Sequence, residues 1–264
     1  MNLIDRLLGQ DIKTHAYSDV TTGTSVLMVN ALKALVNPPS IFMGVVGTGV
    51  QLDIASSSVA DVMTSGTGAW QITVVGLGPN FIPQVKVYNL NGQTVVTPPD
   101  FWLRVFGAYV SAVGTGLVAA GDIYIVKTGT GTFTTGVPAT VTSGCLKIPI
   151  ANGSGYSGYW TVPATRTGAQ PRKAKLQGVT IGAAAQNSYL LIQAQPNLDG
   201  AIYPSDIQLA TVWDLALSGS GGGPGWVDLN RHIEDFTPGT DIIFRFIPGT
   251  AGAIISVAAD IKMV

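Results

Sequence analysis

The side chains that most often perform catalysis are scarce in this sequence. Its 264 residues include two histidines, His15 and His232, and a single cysteine, Cys145. Strand alternation would place His232 on one face with Glu234, which could orient the imidazole as a general base. A polar turn ahead of Pro238 explains the same residues without chemistry. One histidine with one glutamate also falls short of the three protein ligands of a catalytic zinc site.

The remaining candidates for chemistry are equally unspecific. A cysteine nucleophile needs a histidine base that the sequence cannot place, so Cys145 is interpreted as a small buried residue. The 15 acidic residues are scattered, and no two of them stand out as the carboxylate pair of a glycosidase. The glycine-rich runs lack the Gly-Lys-Ser/Thr ending and the following helix of a phosphate loop. The sequence therefore predicts no catalytic residues, no cofactor and no metal site, and favours a structural or binding protein over an enzyme.

The composition indicates a protein that buries apolar surface against other subunits. Charged residues make up 11% of the chain, the hydrophobic fraction is 46% and the mean hydropathy is +0.36. No window reaches the roughly 18 uninterrupted apolar residues of a transmembrane helix, and charges within the first residues argue against a secretory signal. We expect intersubunit contacts to cover the apolar surplus, because large apolar patches are rare on monomers. A net charge of −1 argues against a general nucleic-acid binder.

Strand patterns dominate the chain from residue 38 onward. Residues 69–75 alternate apolar and polar side chains, as a half-buried strand does. Residues 85–96 are predicted to form a hairpin, in which Asn91-Gly92 supplies a type I′ turn. Further strands are predicted at residues 41–46, 123–126, 146–150, 159–162, 175–181, 188–195, 207–217, 241–247 and 253–264. Because no helical periodicity separates them, we expect an all-β fold of antiparallel sheets, as a sandwich or jelly roll.

Residues 101–113 form the strongest strand pattern, with large apolar side chains on both faces. Strict alternation places Val105 on one face and Phe106 with Val110 on the other, which predicts burial on both sides of the strand. Arg104 is the exception in this pattern. We interpret it as snorkelling or paired with an acid rather than as catalytic.

Two segments are predicted to contact neighbouring subunits. One is an N-terminal arm over residues 1–40, which begins with one or two amphipathic helical turns; the alternative for this segment is a frayed terminus followed by a first strand. Its candidate interface residues are Leu3, Ile4, Leu7 and Leu8. The other is the glycine-rich loop at residues 218–226, which ends in Trp226. The other four tryptophans lie inside strand patterns, where burial is the default, so Trp226 is the candidate contact residue.

A cationic stretch lies where one strand pattern ends and another begins. It contains Arg166, Arg172, Lys173 and Lys175, in a chain with only 14 Lys and Arg. Nothing else supports a nucleic-acid surface, so we interpret these cations as a solvated face or a salt-bridge site, with Arg172 and Lys173 as candidate interface residues. The same stretch predicts a junction between a β-sandwich over residues 41–163 and a second, jelly-roll-like sandwich over residues 164–264.

Five segments between about residues 66 and 181 carry a family resemblance. In order they are GAWQITVVGLGPNF, VKVYNLNGQTVV, FWLRVFGAYVSAVGTG, AAGDIYIV and GYSGYWTVPATRTG. This ordered set resembles virion structural proteins of tailed bacteriophages, notably cyanobacterial and other aquatic phages. The sequence departs from that pattern at Gly78, where an acid is usual, and at Thr165-Arg166, where Gly-Lys is usual.

The resemblance implies a non-enzymatic, multi-copy β protein of the phage particle, assembled in the host cytoplasm. It is compatible with a capsid decoration or cement protein and with a ring, collar or fibre component. The expected partners are copies of the chain itself and other virion proteins, such as the major capsid protein or neck and tail proteins. Nucleic acid, membranes and small-molecule substrates are not expected partners. The alternative is a carbohydrate- or receptor-binding module on the particle, with Trp226 and the loops as its binding site.

Overall fold

The computed structural model describes the side chains of residues 47–129, 131–139, 146–155, 160–164, 236 and 238–242, and elsewhere the backbone of strands. The strands are β1 (Ile12–Tyr17), β2 (Val26–Leu27), β3 (Leu52–Ser56), β4 (Ala69–Leu77), β5 (Pro83–Asn89), β6 (Arg104–Val113), β7 (Ile123–Lys127), β8 (Phe133–Thr134), β9 (Val137–Pro138), β10 (Gly144–Ile148), β11 (Ser154–Tyr156), β12 (Tyr159–Thr161), β13 (Ala174–Ala183), β14 (Ser188–Gln195), β15 (Ala210–Leu217), β16 (Gly225–Asp228), β17 (Asp241–Ile247) and β18 (Ile254–Met263). A 3-10 turn at Pro79–Phe81 interrupts them. The predicted all-β, antiparallel fold class is confirmed. Among the described residues, no helix is long and apolar enough to cross a bilayer.

Two antiparallel sheets formed between residues 52 and 156 share one hydrophobic core. The first has the strand order β10-β7-β3 and the second the order β11-β6-β4-β5. Because side chains alternate between the two faces of a strand, every second residue enters the space between the sheets. Leu52 and Ile54 of β3 meet Ile72 and Val74 of β4 in this core. These strands therefore form a two-layer β-sandwich.

The antiparallel register gives this sandwich two different ends. At one end, Leu77 of β4 pairs with Arg104 of β6, and at the other Ala69 pairs with Val113. We call the first the proximal end, because Arg104 bonds there to Asp241 at the start of β17. The second is the distal end, where the loops between β3 and β4, β6 and β7, and β10 and β11 come together.

A bulge in β6 breaks the alternation predicted for residues 101–113. Phe106 is skipped in the pairing with β4, so the register shifts and the side chains that follow change face. Val105 and Val110 both lie toward the core, whereas Phe106 contacts Trp160 of β12 at 6.4 Å between ring centroids. The predicted grouping of Phe106 with Val110 is therefore wrong. Burial on both sides is confirmed, since Val105 and Phe106 are both buried.

The hairpin predicted over residues 85–96 does not form. β5 pairs with β4, and the segment after it crosses to the other sheet, where Val96 and Ile54 exchange two backbone hydrogen bonds of 2.9 Å. A type I′ turn requires positive φ at both central residues, but only Gly92 has it, at 59°, and Asn91 does not. Gly92 instead exchanges hydrogen bonds with the end of β3 and the loop after it, so bonds to a distant segment replace the local turn.

Strands from both ends of the sequence combine in two further sheets. One has the order β1-β18-β13-β16, and the other has the order β12-β17-β14-β15 with β2 also paired to β17. The strands predicted after residue 174 are confirmed to within a few residues. β1 and β2 fall within the predicted N-terminal arm, so parts of that arm pair within their own chain. Trp226 belongs to β16, where its backbone pairs with Thr180, and so the predicted loop at 218–226 ends before it.

The predicted domain boundary between residues 163 and 164 falls just after β12. The sequence pattern groups β12 with the first sandwich, but β12 pairs with β17 along Tyr159–Thr161. The chain therefore passes from the first sandwich into a C-terminal sheet between β11 and β12. The extents of the two predicted domains stay predictions.

Candidate functional site

The residues with potential for catalysis are dispersed. His15 lies in β1, where its backbone pairs with Ser256 of β18, and Cys145 lies in β10. Outside the described residues lie His232 and the predicted interface residues Leu3, Ile4, Leu7, Leu8, Arg172 and Lys173. In the part of the chain with described side chains, no three His, Cys, Asp or Glu groups come together as metal ligands would. The polar groups that do come together are aspartates that join loops and strands.

Asp61 is fully buried and accepts four hydrogen bonds at the distal end. Its Oδ1 accepts the backbone N–H groups of Ala69 at 2.6 Å and Ala120 at 2.8 Å. Its Oδ2 accepts the Ser56 hydroxyl at 2.5 Å and the Gly121 N–H at 2.9 Å. A buried carboxylate requires such partners. Here they tie the loop after β3 to the start of β4 and to the loop before β7.

Glycines allow these loops to approach Asp61 closely. A Cβ added at Gly68 would lie 2.1 Å from Oδ1 of Asp61. A Cβ added at Gly114 would lie 2.3 Å from the carbonyl oxygen of Gly66. Glycine often marks such close approaches of one backbone segment to another, and alanine at either position would push the loops apart.

Asp122 fixes the neighbouring loop at the same end. Its Oδ1 accepts the Ile150 N–H at 2.7 Å, and its Oδ2 lies 2.5 Å from Nζ of Lys147. The Lys147 ammonium also lies 5.6 Å from the ring centroid of Tyr124. Burial raises the pKa of the Tyr124 phenol, and the negative charge of Asp122 raises it further. Asp122 and Lys147 therefore neutralise each other beside the distal loops.

A second polar cluster surrounds Tyr88 at the edge of the core. Trp102 donates its Nε1–H to the Tyr88 hydroxyl at 3.1 Å, and the hydroxyl lies 3.2 Å from Oδ2 of Asp100. Asp100 also pairs with Lys86 at 2.5 Å. Burial is the main cause that raises the pKa of Tyr88; the Trp102 hydrogen bond lowers it, and the charge of Asp100 and its hydrogen bond raise it. Tyr88 thus remains a protonated donor to Asp100.

The raised pKa of Tyr88 predicts a loss of stability in alkali. The stabilising contribution is complete below the pKa of an unfolded tyrosine, about 10, and is lost above it, because the unfolded chain releases a proton that the folded protein retains. We expect the free energy of unfolding, measured by urea titration from about pH 8 to 11, to fall less steeply in Tyr88→Phe than in the wild type. Ser111→Ala, an exposed non-ionising position in β6, is the control and should keep the wild-type slope. Equal slopes in Tyr88→Phe and the wild type would contradict the assignment.

The proximal end holds a buried ion pair between β6 and β17. Arg104 and Asp241 are 4% and 0% exposed. The Arg104 Nε and Nη2 groups donate to the two carboxylate oxygens at 3.1 and 3.0 Å, a bidentate geometry. Thr161 of β12 donates its hydroxyl to the same carboxylate, and Arg104 Nη1 donates to the Leu103 carbonyl. Of the two interpretations of Arg104, snorkelling and pairing with an acid, the structure shows pairing.

Each of the five aspartates with a described side chain therefore joins separate parts of the chain. The fifth, Asp53, accepts the hydroxyls of Thr97 at 2.7 Å and Thr128 at 3.1 Å. These five carboxylates are thus engaged in holding loops and strands. Their hydrogen bonds tie the loops of the first sandwich to its strands.

The distal loops expose apolar side chains. Four of the eight exposed large hydrophobic residues in the described part of the chain lie there: Val59 (69%), Leu117 (76%), Val118 (47%) and Ile150 (56%). The loops that carry Leu117 and Ile150 contact each other, because the Ala151 N–H bonds to the Ala119 carbonyl at 3.4 Å. The distal end therefore combines a fixed backbone with an apolar surface.

No protein-family model and no curated protein matches the chain. Among solved structures, it is similar to the structure of infectious bursal disease virus Gt strain, with 10% identity and a TM-score of 0.15, covering 100% of this chain and 87% of that one. It is also similar to the crystal structure of the infectious bursal disease virus VP2 subviral particle, with 11% identity and a TM-score of 0.16, covering 100% and 78%. Similarities this low carry no conclusion about the fold or function of this chain.

Proposed function

We propose that this chain is a non-enzymatic structural subunit of a tailed-phage particle, present in several copies on the capsid or the tail. Its partners are copies of itself and other virion proteins, and its role is that of a decoration or cement protein or of a ring, collar or fibre component. The resemblance of residues 66–181 to virion proteins supports this role. The antiparallel all-β fold and the low charged fraction of 11% are compatible with it.

The observation that carries the proposal is the set of exposed apolar side chains on distal loops whose backbone is held by hydrogen bonds. Leu117 and Ile150 are more than half exposed, and the backbone around them is held by Asp61 and Asp122. Exposed apolar surface on a soluble protein marks an interaction site when it is grouped. Loops that are already fixed lose little conformational entropy on association. Both properties suit a subunit that works by contact with other subunits.

Quantitative mass spectrometry of purified phage particles tests the proposal. Isotope-labelled peptides of this chain and of the major capsid protein would give the number of copies per particle. We expect a fixed copy number that matches a symmetry of the particle, because virion subunits occupy equivalent positions. Hundreds of copies indicate a decoration protein, and a small symmetric number indicates a ring, collar or fibre. Absence of the chain from particles purified to constant composition, or far less than one copy per particle, would contradict the proposal.

A further inference from the structure

Two Asn-Gly sequences occur in the chain, at Asn91-Gly92 and at Asn152-Gly153. In this dipeptide the backbone nitrogen of the glycine can attack the side-chain amide carbon of the asparagine, because glycine has no Cβ to hinder the approach and rotates readily. The product is a five-membered succinimide ring, which water converts to an acid. Reaction in the folded protein requires a glycine N–H without a hydrogen-bond acceptor and a backbone that can rotate.

The backbone of Gly92 is fixed by hydrogen bonds on both sides of the residue. Its N–H donates to the Asp61 carbonyl at 2.7 Å, and its carbonyl accepts the Ser56 N–H at 2.9 Å. Gly92 is also buried, although Asn91 is exposed. The nitrogen that would attack Asn91 can lose its proton and rotate toward the side chain only after its hydrogen bond has opened. We therefore expect the fold to protect Asn91.

The second sequence lies on the surface. Asn152 and Gly153 are both exposed, in the loop between β10 and β11. Among the residues that the structure describes, the Gly153 N–H has no acceptor and the Asn152 side chain has no hydrogen-bond partner. A Cβ added to Gly153 would have no atom within 4 Å. The glycine nitrogen is therefore accessible to a base from the solvent.

The turn before Asn152 favours the rotation that the attack requires. The Asn152 N–H donates to the Pro149 carbonyl at 3.0 Å, which closes a turn, and Ala151 within this turn has a φ of 60°. Because the left-handed region is unfavourable for alanine, the turn opens more easily than an unstrained one. The Gly153 carbonyl, by contrast, accepts the Val110 N–H of β6 at 2.8 Å. The chain is thus anchored after the dipeptide, and the torsions that must change lie on the side of the strained turn.

We propose that Asn152 is a site of spontaneous deamidation, at which the chain modifies itself without an enzyme. A base in the solvent removes the Gly153 amide proton, the nitrogen forms a bond to Cγ of Asn152, and the side-chain nitrogen leaves as ammonia. Water then opens the succinimide. Cleavage between the ring nitrogen and Cγ gives aspartate, and cleavage between the ring nitrogen and the main-chain carbonyl carbon gives isoaspartate. The sum of the steps is hydrolysis of the amide to a carboxylate and ammonia.

The modification adds a negative charge at the distal end. The same loop carries the exposed Ile150, whose N–H is bonded to the carboxylate of Asp122. In the isoaspartate form, the main chain also gains a methylene group directly before Gly153, next to the start of β11. This loop therefore becomes anionic as the protein ages. The inference goes beyond the proposed function and does not depend on it, because the reaction needs only the chain and water.

Incubation of the purified full chain, followed by trypsin digestion and mass spectrometry, tests the proposal. Trypsin releases residues 148–166, in which Asn152 is the only amide side chain, so a deamidated form of this peptide reports on Asn152 alone. Asn91 lies in the peptide 87–104 and is assigned by fragmentation. At mildly alkaline pH we expect Asn152 to deamidate at least about tenfold faster than Asn91, because the hydrogen bond of Gly92 must open first. Isoaspartate should be the larger product.

A variant and an unfolded sample serve as controls. Gly153→Ala adds a Cβ that contacts no described atom, so it should keep the fold, as circular dichroism checks, while hindering the attack. We expect it to slow deamidation of Asn152 several-fold. In urea, where the hydrogen bonds of Gly92 are broken, Asn91 and Asn152 should react at similar rates.

Three results would overturn the proposal. One is an Asn152 that stays unmodified in the folded protein while it deamidates in urea. Another is equal rates at Asn91 and Asn152 in the folded wild type, a comparison that needs no variant. The third is an unchanged rate in folded Gly153→Ala, which would show that the Gly153 nitrogen is not the attacking group.

Discussion

Replacing Asp61 with alanine is expected to lower the free energy of unfolding by about 2–6 kcal/mol, since two buried N–H groups lose their acceptor at roughly 1–3 kcal/mol each. Those groups belong to Ala69 and Gly121, and the partly buried Ala120 N–H and the Ser56 hydroxyl lose their acceptor as well. A typical protein has only about 5–15 kcal/mol of stability in total. Urea unfolding followed by tryptophan fluorescence measures the loss. This substitution removes a large part of the stability of the first sandwich.

Two matched variants test whether the loss of stability is specific to the buried carboxylate of Asp61. Asp53→Ala removes bonds to two exposed hydroxyls and is expected to change stability by less than about 1 kcal/mol. Asp61→Asn keeps Oδ1 for Ala69 and Ala120 but turns an amide group toward the Gly121 N–H, so its loss should be intermediate. Losses of equal size for Asp61→Ala and Asp53→Ala would show that Asp61 does not hold the distal loops.

Removing either partner of the buried ion pair at the proximal end is expected to destabilise the protein by about 3–5 kcal/mol, because the other charge remains buried without compensation. Arg104→Met leaves the Asp241 carboxylate without its guanidinium partner. Asp241→Leu leaves the guanidinium without its bidentate acceptor and also removes the acceptor of Thr161. Urea unfolding of the two single variants measures both losses.

The double variant Arg104→Met/Asp241→Leu is expected to recover much of that loss, because an apolar pair needs no charge compensation. The double-mutant cycle gives the coupling energy directly. Lys86→Met serves as the control, since Lys86 and Asp100 form a partly exposed pair that is worth at most about 1 kcal/mol. If the losses of the two single variants simply add in the double variant, Arg104 and Asp241 do not stabilise each other in the folded protein.

The fold class could be read from the sequence because strand signals are local. The bounds predicted for β14 and β17 match the observed Ser188–Gln195 and Asp241–Ile247. The long-range pairing could not be read in this way. The bulge at Phe106 depends on how β6 meets β4, and Gly92 bonds to the end of β3 and its following loop rather than closing a local turn. Alternation and turn chemistry describe neighbours in sequence, and these features depend on neighbours in space.

The polar groups that hold the distal loops could not be predicted from the sequence for the same reason. Asp61 gave no motif, because its partners lie up to 60 residues away and are mostly backbone groups. The available signal was indirect, in the glycines at 66, 68, 114 and 121 that allow the loops to meet. Snorkelling and pairing with an acid were the two interpretations of Arg104, and the structure shows pairing. Asp241 could not be identified as the partner, because it is one of 15 acidic residues and has no distinguishing sequence context.

The ion pair at the proximal end cannot form until late in the synthesis of the protein. Asp241 follows Arg104 by 137 residues, which a ribosome needs on the order of ten seconds to add at about 5–20 residues per second. During that interval β6 is complete, but the carboxylate that neutralises its guanidinium has not been made. β12 likewise waits for β17, the strand beside it. We therefore expect the proximal end of the sandwich to stay incomplete during synthesis until β17 has been made, whereas every residue of the distal loops is available earlier.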